Sequence, residues 1–209
     1  MSVAESELQM IAAFSALKRD GLTMFRPVPP RFSTQEECIR SRCRTKLMRG
    51  GNRSGKTSVA AAMFASFARD VPLELEDGSK VHIRHSHQRG RPMVMWVVGY
   101  DWDHIGKTIH RLLFQKNEAL RVIKDEETGE LRAFQPWNPS DVARQEKAEQ
   151  EGRSETEASP PLIPEHEIED DGWVWKIAGA NIFAQVTLKN GTIIFAHSSK
   201  EAKAGDAVD

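Results

Sequence analysis

Eight consecutive residues, Gly50-Gly51-Asn52-Arg53-Ser54-Gly55-Lys56-Thr57, satisfy the pattern G-x-x-x-x-G-K-[ST] of a phosphate-binding loop. Glycines at 50, 51 and 55 let the backbone pass through conformations that a Cβ would block. Successive N–H groups can then turn inward, and a helix starting behind them adds the positive end of its dipole. In such a loop Lys56 reaches the β- and γ-phosphates of a nucleoside triphosphate, and the Thr57 hydroxyl ligates magnesium. The competing reading is a chance octapeptide in a glycine-rich turn. A second Gly-Lys-Thr, at Gly106-Lys107-Thr108, has Asp101 where the leading glycine belongs and lies inside a helical pattern. It is expected to bind no phosphate.

A loop of this kind needs a strand before it and a helix after it. Residues 45–49 read as a short extended approach. Residues 58–68 are rich in alanine, carry Val59, Met63, Phe64 and Phe67 at roughly helical spacing, and meet no proline until Pro72. Upstream, residues 4–18 predict an amphipathic helix with Leu8, Ile11, Ala12 and Leu17 on one side, stopped at Asp20-Gly21. Residues 25–32 form a connection stiffened by Pro27, Pro29 and Pro30. A helix over 33–44 follows, with Ser33 and Glu36 at capping-box spacing. On it Gln35 offers a donor and an acceptor together, matching the N6 and N7 edge of adenine, although an exposed first-turn glutamine would look the same.

Downstream, residues 73–80 predict a polar connection turning at Asp77-Gly78. Residues 82–91 form a basic loop with His82, His85 and His87, whose spacing matches no zinc pattern, so a solvated or phosphate-contacting loop is expected. The apolar run 93–98 predicts a fully buried parallel strand, and 103–122 a helix with Ile105, Ile109, Leu112, Leu113 and Leu120 inward. From 124 to 172 the pattern becomes irregular. It includes a turn at 125–130, a loop at 136–139, an exposed polar helix at 141–151, and an insertion or mobile linker at 152–164 to which no chemistry is assigned. Strands are expected at 173–177, 183–189 and 192–197, the last two flanking the hairpin dipeptide Asn190-Gly191. The order strand, P-loop, helix, strand, helix predicts an α/β protein of the P-loop NTPase type, with a mainly parallel sheet flanked by helices and incomplete at the C-terminus. The expected division is an N-terminal helix over 1–24 and a partial ATPase domain over 25–209, with an acidic insertion or linker at 140–172.

At 209 residues the chain is long enough for one sizeable α/β domain. No apolar run is long enough to cross a membrane, and the acidic start lacks the features of a secretory signal. Cys38 and Cys43, five apart, are expected to be reduced structural thiols rather than a bridge or metal pair. Lys and Arg total 29 against 30 Asp and Glu. Between 26 and 56, however, nine basic residues face two acidic ones, and between 141 and 171 eleven acidic residues face three basic ones. A basic region around the loop suits a polyanionic ligand; ordinary solvated charge accounts more easily for the acidic arm than for the basic cluster.

With these residues in place the chain resembles the N-terminal ATPase part of the large terminase subunit of tailed bacteriophages. The resemblance rests on Gln35 ahead of the P-loop, the arginine-bearing loop at 51–57, the strand ending Trp96-Val97-Val98, and the hairpin over 188–195. It implies ATP and magnesium as cofactors, with Gln35 at the adenine, Gly50, Gly51, Asn52, Ser54, Gly55 and Lys56 around the phosphates, and Thr57 at the metal. Arg53, otherwise a surface arginine on the loop shoulder, would approach the γ-phosphate of its own or a neighbouring subunit and act with Lys56 in catalysis. The implied partners are double-stranded DNA, a portal protein, a small terminase subunit and further copies in a homo-oligomeric ring, in the cytoplasm of a bacterial host. One departure stands out. No apolar run after Lys56 ends in Asp-Glu, the pair that holds magnesium and orients water in that family. The expectation is therefore a truncated piece or split product, without the nuclease domain and poorly active by itself. The alternatives are a helicase-like nucleic-acid ATPase, a small-molecule P-loop kinase, or a non-catalytic remnant.

Overall fold

The computed structural model describes residues 20–49, 55–126 and 129–201. Helix α3 is counted after two short helices, α1 (Gly21–Met24) and α2 (Gln35–Arg40), and spans Lys56–Arg69. Ala61, Ala62, Ala65 and Ala68 are buried along it. Alanine has the highest helix propensity, and side chains this small let neighbouring elements approach the axis closely. The helix begins after Gly55, at φ 75°, and ends at Asp70, a non-glycine residue held at φ 60°. It is followed by a two-strand hairpin of β1 (Leu73–Glu74) and β2 (Lys80–Val81), where the expected Asp77-Gly78 turn places Gly78 at φ 75°.

The largest sheet contains β3 (Val94–Gly99), β7 (Ile168–Ile177), β8 (Ile182–Leu188) and β9 (Ile193–Ser198), in the order β3-β9-β8-β7. A second sheet places β4 (Asn117–Lys124) between β5 (Leu131–Ala133) and β6 (Thr156–Ser159). Among the described residues only β3 with β9 pairs in parallel; every other strand pairing is antiparallel. The expectation of a P-loop NTPase with a mainly parallel sheet is thus overturned. The causes are local. The Asn190-Gly191 turn, with Gly191 at φ 79°, folds β9 back on β8, and the short connection through Asn181, at φ 54°, folds β8 back on β7. Connections this short permit only antiparallel neighbours. The approach to the loop, residues 45–49, forms no strand at all.

Two further expectations are corrected. The helix predicted over 103–122 is shorter. Helix α4 opens with a turn at Trp102–His104, widens into a π-helical stretch at Ile105–His110 and closes at Arg111–Phe114, after which β4 begins. Gly106 sits in the widened stretch because α4 crosses the β7–β8 connection there: a Cβ would lie 2.6 Å from the Ala180 carbonyl oxygen. The run at 93–98 is not fully buried. β3 lies at a sheet edge, and Val94, Trp96 and Val98 share one exposed face, while Met95 and Val97 pack on the core.

The acidic region is an ordered part of the fold. Helix α5 spans Pro139–Gln150, close to the expected polar helix. Its Asp141, fully buried, accepts two hydrogen bonds from Arg132 of β5, at 2.8 and 2.6 Å. The stretch read as a mobile linker contributes β6 and the fully buried Leu162 and Ile163. Among the described residues no helix is long and apolar enough to cross a membrane. The helix expected over residues 4–18 lies outside the described residues.

Candidate nucleotide-phosphate site

The two ends of α3 are treated differently. Its C-terminal carbonyls are held by the protein: Arg84, 1% exposed, donates to the Ala68 oxygen at 2.9 Å and to the Phe67 oxygen, and the Asn190 amide also donates to Ala68. Arg69, in the last turn, pairs with the buried carboxylate of Asp20 at 2.6 Å and with Glu167 at 3.1 Å. Two buried guanidiniums at this end complement the negative pole of the helix. At the other end Gly55 offers no side chain to cap the helix. Backbone N–H groups of a first helical turn have no intrahelical partner, so this end is the natural anion pole.

Gly55, Lys56 and Thr57 lead into α3. The glycine is left-handed, the lysine is the first helical residue, and Thr57 is exposed. The side chain of Gln35 crosses from α2 to this point. Its Oε1 accepts from the Val28 N–H at 2.9 Å, and a Cβ on Gly55 would fall 2.7 Å from its Nε2. Glycine at 55 is therefore favoured by its φ, and a Cβ there would also make the end of the Gln35 side chain move. The expected capping box at Ser33 and Glu36 does not form: Thr34 is the N-cap of α2 and makes no side-chain cap bond, the Ser33 hydroxyl accepts from the Gln35 N–H at 3.1 Å, and α2 ends at Arg40 and not at 44.

Val28, Ser33, Gln35, Gly55 and Lys56 border a cleft of about 1210 Å³, whose described lining does not include Thr57. Lys46, Arg49 and Lys56 bring positive charge to it. Lys46 donates to the Cys38 carbonyl oxygen at 2.7 Å, and burial holds its ammonium below the ordinary lysine value. Cys38 and Cys43 are both free and both line the cleft. A second set of lining residues, Arg121, Phe134 and Trp137, comes from β4 and the loop before α5. The sequence carried no signal for them, because only the pairing of β4 with β5 brings Arg121 beside Phe134, whose N–H donates to the Arg121 carbonyl at 2.9 Å.

The remaining expected site residues, Gly50, Gly51, Asn52, Arg53 and Ser54, lie outside the described residues. The histidine loop has a structural part: Arg84 turns inward to α3, and Gln88 accepts from the His85 N–H in a 3-10 turn at Ser86–Gln88. Among the described residues no group of three or more His, Cys, Asp or Glu could hold a metal ion. The decoy triplet lies within the π-helical stretch of α4, inside a helix as its pattern implies. Comparison with known protein families, with curated proteins and with solved structures finds no match to this chain.

Proposed function

We propose that this chain binds ATP at the N-terminus of α3 and serves as the ATP-binding portion of a motor that drives double-stranded DNA into a viral procapsid. The observation that carries the reading is the start of α3 at Lys56, directly after a left-handed Gly55 and open to a basic cleft shared with Gln35. The reading rests on this loop and helix, not on a parallel sheet. The residues present fit the ligand: first-turn amides and Lys56 meet the phosphate chain, and the exposed Thr57 hydroxyl, with phosphate oxygens, suits a magnesium ion, which commonly keeps several waters. Magnesium neutralises phosphate charge when bound. Lys56 holds the β- and γ-oxygens, Gln35 fixes the loop shoulder against residue 28, and Arg53 would stabilise charge at the γ-phosphate.

In this reading the protein works in the cytoplasm of a bacterial host, with a portal protein, a small terminase subunit and other copies of itself in a ring. The test is calorimetric titration with ATP and magnesium, and turnover, for the wild type and Lys56→Ala. The expected result is measurable binding that the substitution weakens at least tenfold, with turnover slow in the isolated chain. Binding unchanged in Lys56→Ala would overturn the site. Transfer of phosphate to a metabolite, or strand unwinding without procapsid association, would replace the motor with a kinase or a helicase-like ATPase.

A further inference from the structure

The cleft extends past the phosphate site to a wall built from the second sheet. Phe134 and Trp137 line it, on the four-residue connection between β5 and the N-cap of α5. This connection is held at both of its ends. Phe134 donates its N–H to the Arg121 carbonyl at 2.9 Å, and Gln135 donates to the buried Asp141 carboxylate at 3.0 Å. Asn138 donates to the Gln135 carbonyl at 2.8 Å, and its side chain caps α5 by accepting from the Ser140 N–H at 3.0 Å. Bonds at Phe134, Gln135 and Asn138 restrain the backbone of this connection, which lowers the ordering cost of a ligand that meets it.

One atom in this wall has no satisfied role within the chain. The indole Nε1 of Trp137 is buried and without a hydrogen-bond partner, whereas buried donors are nearly always paired. The two sets of lining residues also differ in chemistry. Lys46, Arg49 and Lys56 bring positive charge to the α3 part of the cleft, whereas Phe134 and Trp137 bring apolar rings; Arg26 and Arg121 line the cleft as well. A nucleotide has the matching asymmetry, with phosphates at one end and a flat, weakly polar base at the other. Gln35, the residue whose type suits adenine, already spends its oxygen on Val28 and packs its nitrogen on Gly55.

We infer that the base and ribose of the bound nucleotide lie against Phe134 and Trp137. This rests on the proposed phosphate site. It makes the second sheet the nucleoside-binding half of the cleft and leaves Gln35 as a positioning residue between the 25–32 segment and the loop.

The experiment compares ATP with inorganic tripolyphosphate, which carries the charge without the base, by titration calorimetry on the full chain. Phe134→Leu keeps apolar bulk but removes the ring, and Trp137→Phe keeps a ring but removes the donor, so both should fold; thermal melts confirm it. The expected result is ATP binding weakened about tenfold in Phe134→Leu, by less in Trp137→Phe, and tripolyphosphate binding unchanged in both. Lys56→Ala weakens both ligands. ATP affinity unchanged in both wall variants, with Lys56→Ala still impaired, overturns the inference and leaves the phosphate site standing. Equal loss of ATP and tripolyphosphate in a folded wall variant also overturns it. Unchanged binding of both ligands in Lys56→Ala overturns the phosphate site itself.

Discussion

Gly55 concentrates the constraints of the candidate site in one residue. Its φ of 75° belongs to a region that residues with a Cβ enter at a cost of about 1–2 kcal/mol, and the Gln35 amide occupies the space a Cβ would need. Gly55→Ala is expected to lower the melting temperature and to weaken ATP binding, because either Gln35 or the loop must shift. Calorimetry and a thermal melt on the same sample read both effects. His110 is a second residue with a single-site consequence. It is 5% exposed, its Nδ1 has no partner, and the rings of Phe114, Trp173, Trp175 and Phe183 lie 5.5 to 6.2 Å from it. Burial pushes its pKa below the ordinary 6.5, so the native state favours the neutral imidazole. The stability this contributes is complete above the unfolded value of 6.5 and is lost as the pH falls below it, until the depressed native pKa is passed. The melting temperature should therefore fall on going from pH 7.5 to pH 5, and His110→Phe should flatten that part of the profile.

Among the elements, α3 is the one whose placement decides the site, and its C-terminal clamp is the means. Arg84 spreads its guanidinium over the carbonyls of Phe67, Ala68 and Arg91 and the hydroxyl of Thr192, so one side chain joins the helix to the β8–β9 hairpin. Arg84→Met leaves several buried acceptors without donors, and a loss of about 3 kcal/mol is expected in denaturant unfolding. Arg84→Lys should rescue little of this, because an ammonium cannot reproduce the planar fork. Displacement of α3 should also weaken ATP binding although Arg84 lies at the end of the helix remote from Lys56. The β5–α5 connection is anchored in a comparable way through Asp141. Burial alone would raise that carboxyl's pKa, yet the bonds from Arg132 and the Gln135 N–H outweigh it and hold the pKa below the ordinary value.

At the scale of the molecule, the acidic arm and the α3 layer share one core. Leu162 and Ile163 are fully buried, the Ile163 N–H donates to the Leu113 carbonyl at 2.8 Å, and the Leu162 carbonyl accepts from Arg69 at 2.9 Å. Leu162→Ala should cost about 2–5 kcal/mol, as buried leucine truncations do, and unfolding should remain a single transition monitored by fluorescence and circular dichroism. Separate transitions would show that the second sheet folds independently of α3.

Local signals were enough for whatever a short stretch settles on its own. The chain itself announces the octapeptide, the alanine-rich helix behind it, the polar helix of the acidic arm and the hairpin about Asn190-Gly191, because backbone freedom at glycine, helix propensity and turn chemistry act over a few residues. Pairing partners and their direction were decided only in three dimensions. Residues 117–122 leave the predicted helix and join β4, which pairs between β5 and β6, residues 45–49 form no strand, and β7, β8 and β9 run antiparallel. Strand pairing is a contest among segments far apart in sequence, settled by which apolar faces can be buried together. For the same reason Phe134 and Trp137 acquire a place beside Gln35 and Lys56 only when the second sheet closes against the cleft.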